Sequence, residues 1–499
     1  MSLVIRNGRV LGHPRAVAEN ADILVEHGTI RAIEKPGVIS EEAYQQIDAS
    51  DQLLVPGLVN GHSHSHGGLG KGAVGDRVSL EVFLAGSGAI NGSRTREDKW
   101  LSAALTAVEL VRKGCTAVYD LFVEYPVPSR EGMDAVASAY AEIGMRAVVA
   151  PMMADRTLYQ ALPGLLESLP PHVREHVENL KTAPYEASIE AVRGILDGWT
   201  YDRERIKPGL GPTIPLHCSD DFLVSCSRLS KDYDVVLQTH LAESKAQAVL
   251  GLKKYGCSLT AHLDKLGLLN ERFSAAHSVW IGEDDIRRLA DRGAGVVHNP
   301  MSNLRLGSGI APARSLLNAG VRLGIGTDAT NTSDGQNMFE VLRLASYLSR
   351  VTTRDLDQWL SAEDVLTAAS EGSASILGFD RIGKLERGFK ADIVFLDLGH
   401  INYVPLRNTT LQLAYAENGS AVKNVMIDGR FVLKDGHLLT IDEGKLRRSA
   451  EEAVARLDQA NAAAKKAATE VSKLVGHFCI AHARSELQTA HNLTRHLDS

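Results

Sequence analysis

The chain has little cysteine, no long apolar run and no excess of positive charge. Five of its 499 residues are cysteines, scattered without a Cys-x-x-Cys pair. An odd, dispersed set of thiols does not build a disulfide framework, so this pattern predicts a reducing, cytoplasmic setting. No stretch approaches the ~18 apolar residues of a membrane-spanning helix, and the N-terminus does not read as a secretory signal.

The overall charge and composition exclude some partners and bound the size of the fold. A formal net charge of −7 gives no electrostatic reason to bind nucleic acid or an anionic membrane, and we expect neither partner. With 44% apolar residues the chain can bury a large core. Its length allows several domains, or one large barrel with an accessory domain.

Strand-like and helix-like segments alternate through the middle of the chain. Apolar runs lie at 117–120, 147–150, 235–240, 274–277, 295–298 and 323–328, and helical periodicity lies near 96–113, 131–144, 244–255, 283–293 and 311–319. About eight strand–helix units over roughly 300 residues predict an α/β fold with a (β/α)8 TIM-type barrel.

Short strands with turn signals come before and after this central part. Segment 1–58 alternates in polarity and turns at Asn-Gly and His-Gly, and segment 385–442 repeats that pattern. We therefore expect a discontinuous β-sandwich domain built from both segments, with the barrel over 59–384. The last segment, 443–499, is rich in Ala, Glu, Lys and Arg at helical spacing and predicts a helical tail.

Several apolar runs end in a residue that can bind a metal ion or move a proton. The first ends in His62 and His64, which point the same way if the segment is extended. Later runs end in His240, His277 and Asp328. Barrel active sites form at the carboxyl ends of strands, where distant residues converge. Singly, each histidine is more often a structural core group; jointly, they favour a site for a divalent ion.

The chain resembles the amidohydrolase superfamily, specifically its deaminase and chlorohydrolase branch (cytosine, S-adenosylhomocysteine, 8-oxoguanine and s-triazine enzymes). The matching stretches are 55–64, 239–243, the strand ending at His277, 297–303, 326–328 and 383–392. The likeness covers residues 1 to about 440. The combination of these matching stretches is specific for the superfamily and much less specific for the substrate.

The resemblance implies one divalent ion, with Zn²⁺ favoured and Fe²⁺ open. The implied metal ligands are His62, His64, His240 and Asp328. Binuclear relatives carry a lysine at the end of the fourth strand, whereas Lys207 lies too early here. The extra His66, together with His217 and His298, keeps an alternative ligand open.

The resemblance also implies three catalytic residues. Asp328 would accept the proton of the hydrolytic water, and His277 would orient that water and stabilise the oxyanion. Glu243, three residues past His240, would protonate a ring nitrogen beside the attacked carbon. Attack on an aromatic amidine carbon needs such a donor, and amide hydrolysis does not. The alternative for Glu243 is an exposed residue in the first turn of a helix.

Residues near the predicted strand ends are candidate substrate contacts. They are His217, His298, Asn303 and Asp334. His298 is equally consistent with bracing the pocket, and Asp334 with an ordinary Asp-Gly turn. The glycine-rich segment 66–72 lacks a phosphate-loop ending and predicts a flexible lip, with Lys71 as a minor candidate for binding an acidic group.

We therefore expect a metal-dependent hydrolytic deaminase of an amino-substituted N-heterocycle: a pterin, purine, pyrimidine or triazine. Metal-activated water would attack a ring amidine carbon, and ammonia would leave. The alternatives are displacement of chloride or alkylamine, opening of a ring amide, or a non-catalytic barrel acting as a binding or assembly module. We further expect a small heterocyclic substrate and a homo-oligomer.

Overall fold

The computed structural model describes residues 2–40 and 44–487. Its strands are β1 (Ser2–Val10), β2 (Glu19–Glu26), β3 (Thr29–Glu34), β4 (Gln45–Asp48), β5 (Gln52–Pro56), β6 (Leu58–Ser63), β7 (Cys115–Val123), β8 (Arg146–Met153), β9 (Ile206–Pro208), β10 (Gly211–Pro212), β11 (Leu237–Leu241), β12 (Phe273–His277), β13 (Gly295–His298), β14 (Arg322–Ile325), β15 (Ile393–Asp397), β16 (Val422–Ile427), β17 (Arg430–Lys434) and β18 (His437–Leu438).

Helices lie between and after these strands. They are α1 (Leu80–Asn91), α2 (Arg96–Arg112), α3 (Arg130–Ile143), α4 (Leu158–Ala161), α5 (Leu165–Ser168), α6 (Pro171–Glu178), α7 (Tyr185–Asp197), α8 (Asp220–Asp232), α9 (Lys245–Tyr255), α10 (Leu259–Lys265), α11 (Glu283–Asp291), α12 (Pro300–Arg305), α13 (Ala313–Asn318), α14 (Thr330–Ser333), α15 (Met338–Val351), α16 (Ala362–Thr367), α17 (Ser373–Leu377), α18 (Thr409–Tyr415), α19 (Glu443–Ala460) and α20 (Ala462–Ala483).

Strands from both ends of the chain pair into one sheet. β5 is the junction, because it runs parallel to β1 and antiparallel to β15. The order is β18-β17-β16-β15-β5-β1-β2-β3, with β4 also paired to β1. The sheet buries apolar side chains such as Ile5, Ile23 and Phe395 on its own small core. The prediction that the two ends share one β-structure is confirmed.

The central part of the chain forms two parallel sheets. β6 to β10 make one of them, and β11 to β14 make the other. All nine residues of β7 are buried, as is typical of a parallel strand covered on both faces. The two sheets meet at both edges, since Leu210 bridges to Leu237 and the Asp328 N–H donates to the His62 carbonyl at 3.0 Å. The carboxyl ends of β6, β11, β12 and β14 therefore lie together.

The predicted helices are present, and their ends have local causes. α2 begins at Thr95, which forms a reciprocal capping box with Asp98. α3 ends at Gly144, whose φ of 89° favours glycine. The helical segments expected near 96–113, 131–144, 244–255, 283–293 and 311–319 correspond to α2, α3, α9, α11 and α13.

Helices α19 and α20 form the described part of the predicted tail, and residues 488–499 lie outside the description. α20 packs closely on α1: a Cβ atom added to Gly476 would lie 2.8 Å from Val82 Cγ2. In the ranges 2–40 and 44–487, none of the helices combines the length and hydropathy that a bilayer crossing requires.

The prediction of a flexible, glycine-rich lip over 66–72 is wrong for residues 66–70. Ser65–Gly70 forms a buried turn of 3-10 helix. A Cβ atom on Gly68 would lie 2.3 Å from the Ser102 carbonyl oxygen, so glycine permits close packing here rather than flexibility. Lys71 pairs with Glu109 at 2.9 Å.

Candidate active site

The four predicted metal ligands converge at the carboxyl ends of the central strands. They are His62 in β6, His64 just beyond it, His240 in β11 and Asp328 after β14, and all four are buried. His62 Nε2 lies 3.6 Å and His64 Nε2 lies 3.3 Å from Asp328 Oδ1. His64 Nε2 lies 3.0 Å from His240 Nε2. Overlapping groups of side chains could each hold an ion: His62, His64 and Asp328 form one, and His62, His240 and His277 form another.

Backbone carbonyls fix two of the imidazoles. His64 Nδ1 donates to the Leu121 carbonyl at 2.8 Å, and His240 Nδ1 donates to the Thr213 carbonyl at 2.6 Å. Because a carbonyl oxygen only accepts, both Nδ1 atoms carry hydrogen and both Nε2 atoms present lone pairs. Two lone pairs at 3.0 Å repel each other, and a cation bound by both removes that repulsion. The donor set therefore fits a divalent metal ion.

Gln238 orients His62, and sequence reasoning missed it. Its Nε2 donates to the Gly61 carbonyl at 3.1 Å, so its Oε1 accepts from His62 Nδ1 at 2.6 Å. Within the described ranges, His62 Nε2 has no hydrogen-bond partner and is left for a ligand. Gln238 precedes His240 by two residues on one face of β11, which is the signal that could have identified it.

The backbone is strained where the strands end. Ala242, His277 and Asp328 have φ values of 44°, 69° and 62°, in the left-handed region that non-glycine residues seldom adopt. Such residues cluster at functional sites. Gly326 is needed for a different reason, since a Cβ atom there would lie 2.4 Å from Asn299 Oδ1.

Burial sets the protonation states of the cluster. Desolvation and the neighbouring His62 lower the pKa of His64 to about 4, and desolvation lowers the pKa of His277 to about 3. Burial opposes ionisation of Asp328, but the neighbouring imidazoles of His62, His64 and His277 hold its pKa well below its usual range. Neutral imidazoles and an ionised carboxylate are the forms that bind a divalent cation.

Glu243 is a buried acid facing this cluster. Its Oε2 lies 3.6 Å from His277 Nε2, while His277 Nδ1 contacts Asn303 Oδ1 at 2.8 Å. Only 2% of Glu243 is exposed, so the alternative of an exposed first-turn residue is wrong. Burial raises its pKa well above its usual range, and the carboxyl groups of Asp328 and Glu81 raise it further. Burial thus favours the protonated form of the Glu243 carboxyl group.

Three contacts fix Glu243 at the start of α9. The Glu243 N–H donates to Gln247 Oε1 at 3.0 Å. Ser244 caps α9 by accepting from the Gln247 N–H at 3.2 Å, and its hydroxyl donates to Glu81. Glu81 lies on α1 and had no signal in the sequence, because its contact with Ser244 joins residues far apart in the chain.

A cavity of about 380 Å³ opens over the cluster. His64, His240, Glu243 and Asp328 reach it. Its walls are largely apolar and include Leu80, Phe83, Met152, Leu158 and Leu306, with Arg156 and Lys181 adding positive charge. A concave, mostly apolar space with a few convergent polar groups suits a small organic ligand.

The remaining predicted residues fall in different places. His217 lines the cavity, and burial lowers its pKa to about 4. His298 is buried at the end of β13. Asn303 contacts His277. Asp334 is 58% exposed and pairs with Arg305 at 2.9 Å.

Lys207 lies apart from the ligand cluster, since its ammonium donates to the Gly378 carbonyl. Its Nζ also lies 4.6 Å from the centre of the Phe379 ring. This position is consistent with the expectation that Lys207 does not bridge a second ion.

Known proteins share this sequence and fold. The amidohydrolase family model matches residues 53–432. A 5-methylthioadenosine/S-adenosylhomocysteine deaminase from Desulforudis audaxviator is 34% identical over 461 residues, covering 92% of this chain and 99% of that protein. A 5′-deoxyadenosine deaminase from Methanopyrus kandleri is 29% identical, with 92% and 99% covered.

Solved structures of other proteins share this fold. An adenosine deaminase from Xanthomonas campestris with bound zinc has a TM-score of 0.80 and 28% identity, and the match covers 92% of this chain and 98% of that one. An atrazine chlorohydrolase from Arthrobacter aurescens TC1 complexed with zinc has a TM-score of 0.80 at 24% identity, covering 91% and 100%, a likeness in fold alone. The chain belongs to the amidohydrolase family.

Proposed function

We propose that this protein is a metal-dependent hydrolytic deaminase of a 6-aminopurine nucleoside. The observation that carries the proposal is the buried acid Glu243, whose Oε2 lies 3.6 Å from His277 Nε2 beside a histidine–aspartate ligand set. Relatives that match nearly the full chain deaminate adenosine derivatives, which supports a purine over the other heterocycles.

The ligand set would be His62, His64, His240 and Asp328, which the distances between their side-chain atoms support, and zinc is the ion we favour. A zinc ion there would supply Lewis acidity and make a water acidic near neutral pH. Asp328 accepts the proton of that water. The Nε2 lone pair of His277 accepts a hydrogen bond from the same water and orients it toward the ring.

Glu243 supplies the proton that attack on the aromatic ring requires. As water oxygen bonds to C6, the ring π-electrons move onto N1, and the Glu243 carboxyl donates its proton there. The C–N bond then breaks, and the departing amine leaves as ammonia with the proton that Asp328 received. Glu243 recovers a proton as the ring carbonyl forms. Catalysis by such a positioned acid typically accelerates a reaction by about 10² to 10⁴.

We also propose that the two parallel sheets close into an eight-stranded barrel over 59–384, in which β9 and β10, both paired with β8, count as one strand. The bridge from Leu210 to Leu237 and the bond from Asp328 to His62 support closure at both edges. In this arrangement the strands β1 to β5 and β15 to β18 form the flanking β-domain, and α19 and α20 form the tail.

A release screen tests the proposed function. Purified, metal-loaded protein is incubated with adenosine, 5′-deoxyadenosine, methylthioadenosine and S-adenosylhomocysteine, and with amino- and chloro-substituted pterins, pyrimidines and triazines. Ammonia release should be fastest with the purine nucleosides. Release of chloride or alkylamine, with no ammonia from any purine, would refute the proposal.

A further inference from the structure

His66 lines the cavity and has no part in the proposed chemistry. Its ring centre lies 5.2 Å from that of His64, and its ring packs edge-on against Phe122 at 5.8 Å. The residue is 6% exposed, and its Nδ1 atom has no hydrogen-bond partner in the part of the chain that the structure describes. A buried ring nitrogen of this kind is costly unless a ligand satisfies it.

The backbone around His66 is held firmly. The Ser65 N–H donates to Asp120 Oδ1 at 2.7 Å, and the Ser102 hydroxyl donates to the Ser65 carbonyl at 2.7 Å. Arg94 Nη1 donates to the His66 carbonyl at 2.6 Å. These three main-chain groups are thus satisfied by the protein, while Nδ1 of the His66 ring has no partner among the described residues. This is the arrangement expected of a preorganised ligand contact.

His66 and Glu243 neighbour different histidines of the cluster. His66 follows β6 and neighbours His64, whereas Glu243 follows β11 in the other parallel sheet and neighbours His277. In a 6-aminopurine the reacting carbon is flanked by N1 on one side and by the ring junction that carries N7 on the other. If Glu243 serves N1, the N7 side is presented to His66.

We propose that His66 is a specificity-determining residue whose imidazole donates a hydrogen bond to N7 of the purine. The proposal rests on the proposed function. Because the His66 ring centre lies 5.2 Å from that of the ligand-cluster residue His64, we assign the contact to the base, which carries the reacting carbon, rather than to the sugar. It selects heterocycles that carry an acceptor beside the ring junction.

The test compares adenosine with 7-deazaadenosine, in which N7 is a C–H group. kcat/KM is measured for both nucleosides with wild type, His66→Phe and His66→Gln. Phenylalanine keeps a ring against Phe122 but offers no donor, and glutamine restores one. We expect wild type to have a higher kcat/KM for adenosine than for 7-deazaadenosine. In His66→Phe this preference should fall about tenfold, because kcat/KM falls for adenosine and not for 7-deazaadenosine. His66→Gln should recover part of the preference. Differences in intrinsic reactivity cancel when the ratio is compared between variants.

Two failures are distinguishable. A wild type that releases ammonia from both nucleosides, with the same ratio in His66→Phe, overturns the N7 contact and leaves the deaminase proposal standing. Equal losses on both nucleosides have the same meaning, because they show a structural role. A wild type that releases ammonia from neither nucleoside nor from any other purine of the release screen overturns both proposals, and this appears before any variant is compared.

Discussion

The Nε2 atoms of His64 and His240 lie 3.0 Å apart, although each imidazole donates its Nδ1 hydrogen to a backbone carbonyl. Neither nitrogen has a hydrogen to offer the other, so the pair is stable only when something positive binds both lone pairs. The carboxylate of Asp328, 3.3 Å from His64 Nε2, points to the same place. The geometry is that of a metal site in which the protein has already set each tautomer.

Metal content is the first prediction. We expect about one divalent ion per chain in carefully purified protein, and loss of both ion and activity in His240→Ala, because the remaining ligands no longer close the coordination shell. His172→Ala, an exposed histidine on α6, is the matched control and should retain both. Elemental analysis by mass spectrometry measures the ratio. Two ions per chain at full activity would contradict a mononuclear site.

Replacing Glu243 separates acid catalysis from metal binding. Glu243→Gln should retain the ion but lose about 10²-fold or more in kcat, because an amide cannot protonate the ring nitrogen. Since burial holds the pKa of Glu243 well above its usual range, wild-type activity should fall as pH rises through that pKa and the proton is lost. The exposed Glu283→Gln serves as control. Turnover near the wild-type value would exclude Glu243 as the acid.

Asp120 should couple stability to pH. Burial raises its pKa to about 6 from an ordinary 3.8, despite hydrogen bonds from Ser65 and Tyr140. A raised pKa means that the favourable contribution is complete below the ordinary value and is lost as pH rises through about 6. The shift is equivalent to about 3 kcal/mol. The free energy of unfolding, measured by urea denaturation between about pH 4 and pH 8, should therefore fall less in Asp120→Asn than in wild type. Parallel curves would contradict this account.

Gly194 and Gly476 both lie in helices, so their alanine substitutions can be compared directly. A Cβ atom on Gly194 in α7 meets nothing within 4 Å, so Gly194→Ala should stabilise the protein by about 0.5–1 kcal/mol. Gly476→Ala should destabilise it by about 1–3 kcal/mol, because its Cβ atom would lie 2.8 Å from Val82 Cγ2. It should also raise KM, since Phe83 and other residues of α1 line the cavity. Thermal unfolding and steady-state kinetics check both variants. If Gly194→Ala and Gly476→Ala had the same effect on stability and on KM, α20 would not support the cavity wall.

Much of the site could be predicted because its signals are local. Strand-end histidines such as His62 and His240 follow from an apolar run and its last residue, and the structure places them together. The side chains that orient them are partly non-local. Gln238 shares a face with His240, but the contact of Glu81 with Ser244 depends on how α1 packs.

The one wrong expectation, the flexible glycine-rich lip, has the same cause. The glycines of the predicted lip serve close packing against Ser102, which no local pattern reveals. The Asp-Gly turn after β14 carries Asp334 to the surface, where Arg305 pairs with it. Left-handed backbone at His277 and Asp328 is likewise imposed by tertiary contacts rather than by residue type.

In the proposed reaction this protein replaces the amino group of a purine with oxygen from water. The most direct test incubates the metal-loaded protein with adenosine in ¹⁸O-enriched water and measures ammonia together with the mass of the nucleoside product. The account predicts one ammonia released for each inosine formed, with one ¹⁸O atom in the base. Unchanged adenosine, from protein that carries its metal and hydrolyses a different heterocycle, would contradict it.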